Sequence, residues 1–230
     1  MRSGGRNWSD GVHHLVRNGS RILLMDTVRG LAEEGDRVLE AALEFDPDVM
    51  AIAISREELA GLLDRMDDMD LHDLTNYDEL YCRFLSRYGK VTLPPADLVA
   101  AVRYASERGI PLRTLDLSEK RMTEISLRYI TPMETMRYGV LMRNIRGRRF
   151  RAKTAREFAL EWDRIVLKLR GFRKVEMARE REISARISAL ARRYRRIMAV
   201  VEAQRCDGIL RRLVEDHRMC PASEGGDENS

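Results

Sequence analysis

The chain has 230 residues, 44% of them hydrophobic and 34% charged, enough for one sizeable core beneath an ion-dense surface. No apolar run approaches the ~18 residues of a membrane span, and the start, MRSGGRNWSDG, lacks the apolar stretch of a secretory signal. The net charge of +4 conceals two blocks: residues 31–81 carry sixteen Asp/Glu against three Lys/Arg, and residues 137–196 carry twenty Lys/Arg against six Asp/Glu.

Residues 1–11 read as a flexible start. Val12–Val16 and Ile22–Met25 then flank Asn18-Gly19, a strong hairpin signal because both residues tolerate positive φ. His13 and His14 lie in the first of these strands, where alternation sends their rings to opposite faces. The pair therefore cannot hold one ion together, and a metal role there is not favoured. Val38, Leu39, Ala42, Leu43 and Phe45 recur at helical spacing, and Asp46-Pro47-Asp48 stops that helix. VMAIAI, residues 49–54, suits a strand covered on both faces. Strand 22–25, helix 34–45 and strand 49–54 form a βαβ unit, which predicts a parallel pair with a right-handed crossover.

Ser55 and Glu58 have the spacing of a capping box, opening a helix to about Met66. MDDMDLHDLTNYDE, which includes His72, reads as a solvated acidic connection rather than an Asp/His metal site. A helix over 78–88 stops at Gly89. Pro94-Pro95 opens a helix over 96–108 that stops at Gly109. Residues 111–117 are a short strand ending near Asp116, and Ser118 caps the next helix.

Residues 131–195 show no strand signal. Helices are predicted near 132–146, 154–170 and 173–194, broken at Gly147 and Gly171. Phe158, Leu160, Trp162, Ile165, Val166 and Leu169 recur near helical spacing and read as core. Residues 197–201 are a last buried strand. The turn EAQRCDG follows, with Asp207 placed to cap a final helix through Arg218. Residues 220–230 are disordered by composition. The fold class is α/β: one domain over residues 12–219, with a mostly parallel sheet begun by an N-terminal β-hairpin. A large helical insertion at about 131–195 precedes the last strand.

In open α/β sheets ligands bind outside the carboxyl ends of the strands. Those ends deliver Asp26, Thr27 and Arg29, then Ser55 and Arg56, then Asp116, then Glu202, Gln204, Arg205 and Cys206. Asp26, Asp116 and Glu202 have the chemistry to hold a hard ion such as Mg²⁺ or Mn²⁺. Arg29 and Arg205 can instead pair with those carboxylates, which is the favoured reading. Cys206 is a nucleophile only beside a positioned base. His217 is the His nearest to it in sequence, and whether His13, His14 or His72 completes a metal site stays open. The three cysteines, Cys82, Cys206 and Cys220, form no CxxC pair, which argues against a zinc ribbon and for a reduced, cytoplasmic protein.

VHHLVRNGSRILLMDTVRG, a helix, and then DPDVMAIAI resemble the opening of the TraB/PrgY (pheromone shutdown) family, related to the Tiki/GumN group described as metalloproteases. The register from Ile22 to Ile54 needs no gap. GIPLRTLDL, MAREREISARI and IMAVVEAQRCDGIL resemble later segments of the same family, so the similarity spans about residues 12–213. The departures fall on the motifs. Asp26 and Arg29 stand at the Gly and His of GTAHV, and Ala53 at the Glu of VEL. Glu202, Gln204 and Arg205 stand at the two Gly and the His of GAGHV, and Leu117 at the Arg that follows the family's Asp. Thr27, Asp116 and Gly208 match, as does Arg179 or Arg181 in the family's ERD segment.

Guanidinium offers donors only and repels cations, so the resemblance implies a family site that has lost its metal chemistry. It implies a non-catalytic binding or regulatory module with no catalytic residues and no resident cofactor. The opposed charge blocks, which can face each other within one chain or across a dimer, add self-association as a homo-oligomer such as a dimer. Its arginine-lined rim suits an anionic ligand, and a protein partner is a further option. Two alternatives stand beside it. One is a metal-dependent, peptidase-like hydrolase rebuilt on the acidic trio with Mg, Mn or Zn. The other is nucleic-acid binding through the basic helices, which is less favoured than self-complementary charge.

Overall fold

Asn18 and Gly19 take φ of 51° and 78°, and the chain reverses there between strands β1 (Val12–Arg17) and β2 (Ser20–Thr27). In this computed structural model, residues 11–64, 66 and 76–218 are described. Helix α1 (Glu33–Phe45), strand β3 (Val49–Ile52) and helices α2 (Arg56–Asp64), α3 (Asn76–Leu85) and α4 (Ala96–Arg108) follow. Then come strand β4 (Leu112–Thr114) and helices α5 (Glu119–Tyr129), α6 (Pro132–Ile145), α7 (Ala155–Val166) and α8 (Arg170–Leu190). Strand β5 (Arg196–Glu202) and helix α9 (Ala203–Arg218) close the chain. The protein is therefore α/β, with a mostly parallel sheet begun by an antiparallel hairpin and a helical insertion before the last strand. Residues 1–10 of the expected flexible start over 1–11, residues 67–75 of the acidic connection with His72 and the tail over 220–230 lie outside the described residues. Gly11 is buried, and its carbonyl accepts the Asp26 amide at 2.8 Å.

The sheet order is β1-β2-β5-β3-β4. β2 and β3 are parallel, as the βαβ reading expects, but they do not pair with each other. β5 lies between them, with Ile22 and Val49 both aligned on Ile197. Every β5 residue after Arg196 is buried, and a strand that apolar gains most from the centre, where both faces are covered. A local sequence pattern gives a strand's direction but not its neighbour, so the predicted pair is corrected by a strand far away in the chain.

Alternation divides the sheet between two cores. Leu23, Met25, Met50, Ile52, Met198 and Val200 pack against α1 and α4. Ile22, Leu24, Ala51, Ile197, Ala199 and Val201 pack against α8 and α9. Each fully buried Leu, Ile, Val or Met among them contributes about 1.5–3 kcal/mol. A third cluster gathers just beyond the ends of β2 and β5, where Val28, Leu31 and Ala203 meet Phe84, Phe158 and Trp162. Phe158 and Trp162 are 0% and 1% exposed. Phe158 and Trp162 are thus core, as expected, and seat α7 over the strand ends. Tyr138, Phe150 and Phe172 are only partly buried, and Met133, Met136 and Met177, also expected in the core, are exposed.

Helix limits follow local chemistry with two exceptions. The Ser55 and Glu58 box forms, with bonds of 3.0 and 2.7 Å, and Ser118 caps α5. Asp46 ends α1 in the left-handed conformation. Gly171, expected to break a helix, lies inside α8 instead. Its amide donates to Glu134 at 2.7 Å, and a Cβ there would strike the Tyr129 carbonyl. Asp207, expected to cap the last helix, lies inside α9, which starts directly after Glu202. The motif residues Gln204, Arg205 and Cys206 are its first turn. Among the described residues, no helix is long and apolar enough to cross a membrane.

Candidate functional site

Asp26 and Thr27 end β2 and leave it on opposite faces. Thr27 donates to Asp97 at 2.7 Å and to the Val201 carbonyl at 3.3 Å. Asp97 is in the first turn of α4, where the helix dipole favours a carboxylate. The next amide, of Val28, donates to Glu34 at 3.0 Å, and Glu34 also holds Arg37 at 2.6 Å. Burial pushes the Glu34 carboxyl up, against the pull of Arg37. Thr27 thus ties the strand end to α4.

Beyond the ends of β4 and β5 runs a continuous chain of ion pairs. Arg29 pairs with Glu202 and also donates to the Ala53 carbonyl at 3.3 Å. Arg205 pairs with the same Glu202 and with Glu176 of α8. Arg179, one turn further along α8, lies 3.6 Å from Glu176 and grips Asp116, with its Nε at 2.9 Å. The second oxygen of Asp116 accepts the Leu117 amide at 2.8 Å. Burial alone would raise the Asp116 carboxyl, but the charge and hydrogen bonds of Arg179 hold it below the usual range. Burial opposes the Arg179 charge as well, and Glu176 and Asp116 more than offset it. Arg205, only 6% exposed, is pulled below the ordinary guanidinium value by burial and by Arg179.

Two further carboxylates face this chain. Glu180 holds Arg212 at 3.3 Å, and Gly208 leaves room for it, since a Cβ there would collide with the Glu180 carboxylate. Asp163 of α7 is pushed up to about 7 by burial and then by the charges of Glu176 and Glu180, against Arg205 and Arg179.

Asp26 belongs to a separate corner. Its Oδ1 pairs with Arg156 of α7. Its Oδ2 lies 3.6 Å from Nε2 of His13, and neither of those atoms has a hydrogen-bond partner among the described residues. Cys206 is fully buried beside them, and burial, then the Asp26 charge and a hydrogen bond from the thiol to the Asp26 carboxylate, raise its thiol well above the ordinary value. A buried, protonated thiol is a poor nucleophile. His14 faces the other way and packs against the Phe45 ring.

The six rim positions therefore divide. Arg29, Glu202 and Arg205 meet directly, and Asp116 joins them through Glu176 and Arg179. Asp26 and Thr27 stand apart, each with its own partners. The acidic trio does not converge. Among the described residues, one group of three His, Cys, Asp or Glu side chains has ligand atoms within 4.8 Å of one another, and it is His13, Asp26 and Cys206. A hard-ion site on Asp26, Asp116 and Glu202 does not fit this arrangement, because the three carboxylates lie in separate clusters and do not bring their oxygens together. Sequence reasoning did not reach Arg156, Glu176 or Asp163. Glu176 could have been found by its spacing from Arg179 on one helical face; Arg156 has no local signal.

No protein-family model matches the chain, and no curated protein matches it.

Proposed function

We propose that this chain is a TraB-like protein whose strand-end site performs no chemistry, a binding or regulatory module that self-associates in the cytoplasm. The observation that carries this reading is the ion-pair chain from Arg29 to Asp116. It fills the place where an open α/β sheet receives its ligand with paired guanidinium and carboxylate groups, which offer a cation no open donor set. Of the two arginines that the resemblance offers for the family's ERD segment, Arg179 rather than the exposed Arg181 reaches Asp116. Cys82 and Cys206 are free thiols, in keeping with a reduced compartment.

Self-association is supported by α6, where Met133, Met136 and Val140 share one exposed helical face. This face adjoins the start of the basic block at residue 137, and residues 31–81 of a second copy carry the complementary charge. An anionic ligand would suit the hollow between α6 and α8 that Arg137, Lys168, Arg170 and Lys174 line. The test is sedimentation of the full chain together with mass-spectrometric assay of an unstructured peptide mixture in Zn²⁺ and Mn²⁺. A dimer that Met136→Glu dissociates, with no cleavage, is expected. Metal-dependent cleavage that Asp116→Ala abolishes would overturn the reading.

A second reading has one specific observation behind it. Arg146, Arg148, Arg149 and Arg151 are all exposed between α6 and α7, a patch that suits a nucleic-acid backbone. It requires binding that falls steeply with salt and that Arg148→Glu with Arg149→Glu removes.

A further inference from the structure

The geometry points to a binding site for one divalent transition-metal ion, Zn²⁺ by donor chemistry, formed by His13, Asp26 and Cys206. This goes beyond the binding-module reading and does not rest on it, and it replaces the sequence-based expectation of no resident metal.

Three observations converge. The imidazole nitrogen, a carboxylate oxygen and the sulfur lie within 4.8 Å of one another. His13 Nε2 and Asp26 Oδ2 are 3.6 Å apart, against the about 3.4 Å that tetrahedral zinc would impose on two such ligands. Asp26 is 2% exposed, yet its Oδ2 has no hydrogen-bond partner among the described residues, and neither has the imidazole nitrogen it faces. Buried oxygens of this kind are seldom left unmet, and a metal ion between these three atoms would satisfy the pair at once.

The surroundings suit a ligand set rather than another salt bridge. Arg156 engages only Oδ1, which fixes the carboxylate plane and leaves Oδ2 directed at His13. Outer partners of this kind orient metal-bound carboxylates. The mixture of sulfur, imidazole and carboxylate selects zinc over magnesium or calcium, which take oxygen ligands. On binding, the Cys206 thiol gives its proton to solvent and the sulfur coordinates as thiolate, while His13 coordinates as neutral imidazole. The His13 side chain is 33% exposed, so an ion can enter past it, and the fourth position is left to water. The ligands come from β1, the end of β2 and the first turn of α9, so the ion would fasten the edge hairpin to the last helix.

The experiment strips the full chain with a chelator, incubates it with Zn²⁺, desalts it and measures zinc by elemental analysis. One zinc per chain is expected. It should be lost in His13→Ala and in Cys206→Ala and kept in Asp116→Asn, which alters the neighbouring ion-pair chain. Should Cys206→Ala fold poorly, Co²⁺ added to the wild-type chain gives a second readout, with a thiolate-to-cobalt charge-transfer band expected in the near ultraviolet. Absence of retained zinc in folded wild-type protein overturns the proposal. So does zinc that survives both ligand substitutions, or bound cobalt without the thiolate band. Peptide cleavage would overturn the binding-module reading and leave this one standing.

Discussion

Asp116 and Asp26 both stand at strand ends, both are almost fully buried, and both face an arginine from the helical insertion. They differ in their second oxygen. In Asp116 one oxygen takes the Leu117 amide and the other takes Arg179, so the group is closed. In Asp26 one oxygen takes Arg156 and the other faces a histidine nitrogen that is itself unsatisfied. An arginine beside a carboxylate therefore does not mark a site as spent. What matters is whether donors remain for every lone pair, because a buried oxygen without one stays available to a ligand.

The severest break of this comparison is Arg205→Met. It leaves Glu202 and Glu176 short of their shared buried cation and should cost about 3–5 kcal/mol, read from the midpoint of urea denaturation. A loss near zero would mean the chain is not closed in solution. Asp116→Asn should cost about 2–3 kcal/mol at neutral pH. The folded Asp116 carboxyl lies below its unfolded value, so its contribution is present above the unfolded pKa and is lost as pH falls through the folded one. The gap between variant and wild type should thus narrow on acidification.

Asp163 behaves in the opposite sense. Its carboxyl is pushed up to about 7, so the folded state is favoured below the ordinary carboxylate value and loses that advantage as pH rises toward 7. Asp163→Asn should match the wild type at pH ~4 and exceed it by about 1–2 kcal/mol at pH ~8, once screening by solvent is allowed for. Thermal unfolding at the two pH values decides it. The smallest effect belongs to the open corner. Without metal, His13→Ala should change stability by no more than ~0.5 kcal/mol, and a loss above ~2 kcal/mol would show that His13 is held as firmly as Arg179.

Much of the architecture was legible because it rests on local spacing. Asn18-Gly19 required a hairpin, Ser55 and Glu58 required a cap, and the stripe through Phe158 and Trp162 required a buried helical face. The arginines at positions 29 and 205 were legible as partners of carboxylates from charge alone. The rest depends on residues brought together from far apart. Nothing near Asp26 in the chain announces Arg156, which lies 130 positions away. The alternation that placed His13 and His14 on opposite faces was right, but it hid the cluster of His13, Asp26 and Cys206. His13 meets partners from two other elements rather than its neighbour in sequence.

The central position of β5 has a consequence for synthesis of the chain. β2 aligns with β5 from Arg21↔Arg196 onward, and β3 aligns with it from Val49↔Ile197. As the polypeptide leaves the ribosome, the β1-β2 hairpin and the β3-β4 pair exist before the strand that joins them. Each is a two-stranded ribbon of marginal stability on its own, and each presents an apolar edge to other nascent chains. Contacts so distant in sequence also slow folding. A product truncated before Arg196 would hold two half-sheets with no seam between them, and aggregation or capture by a chaperone is its expected fate.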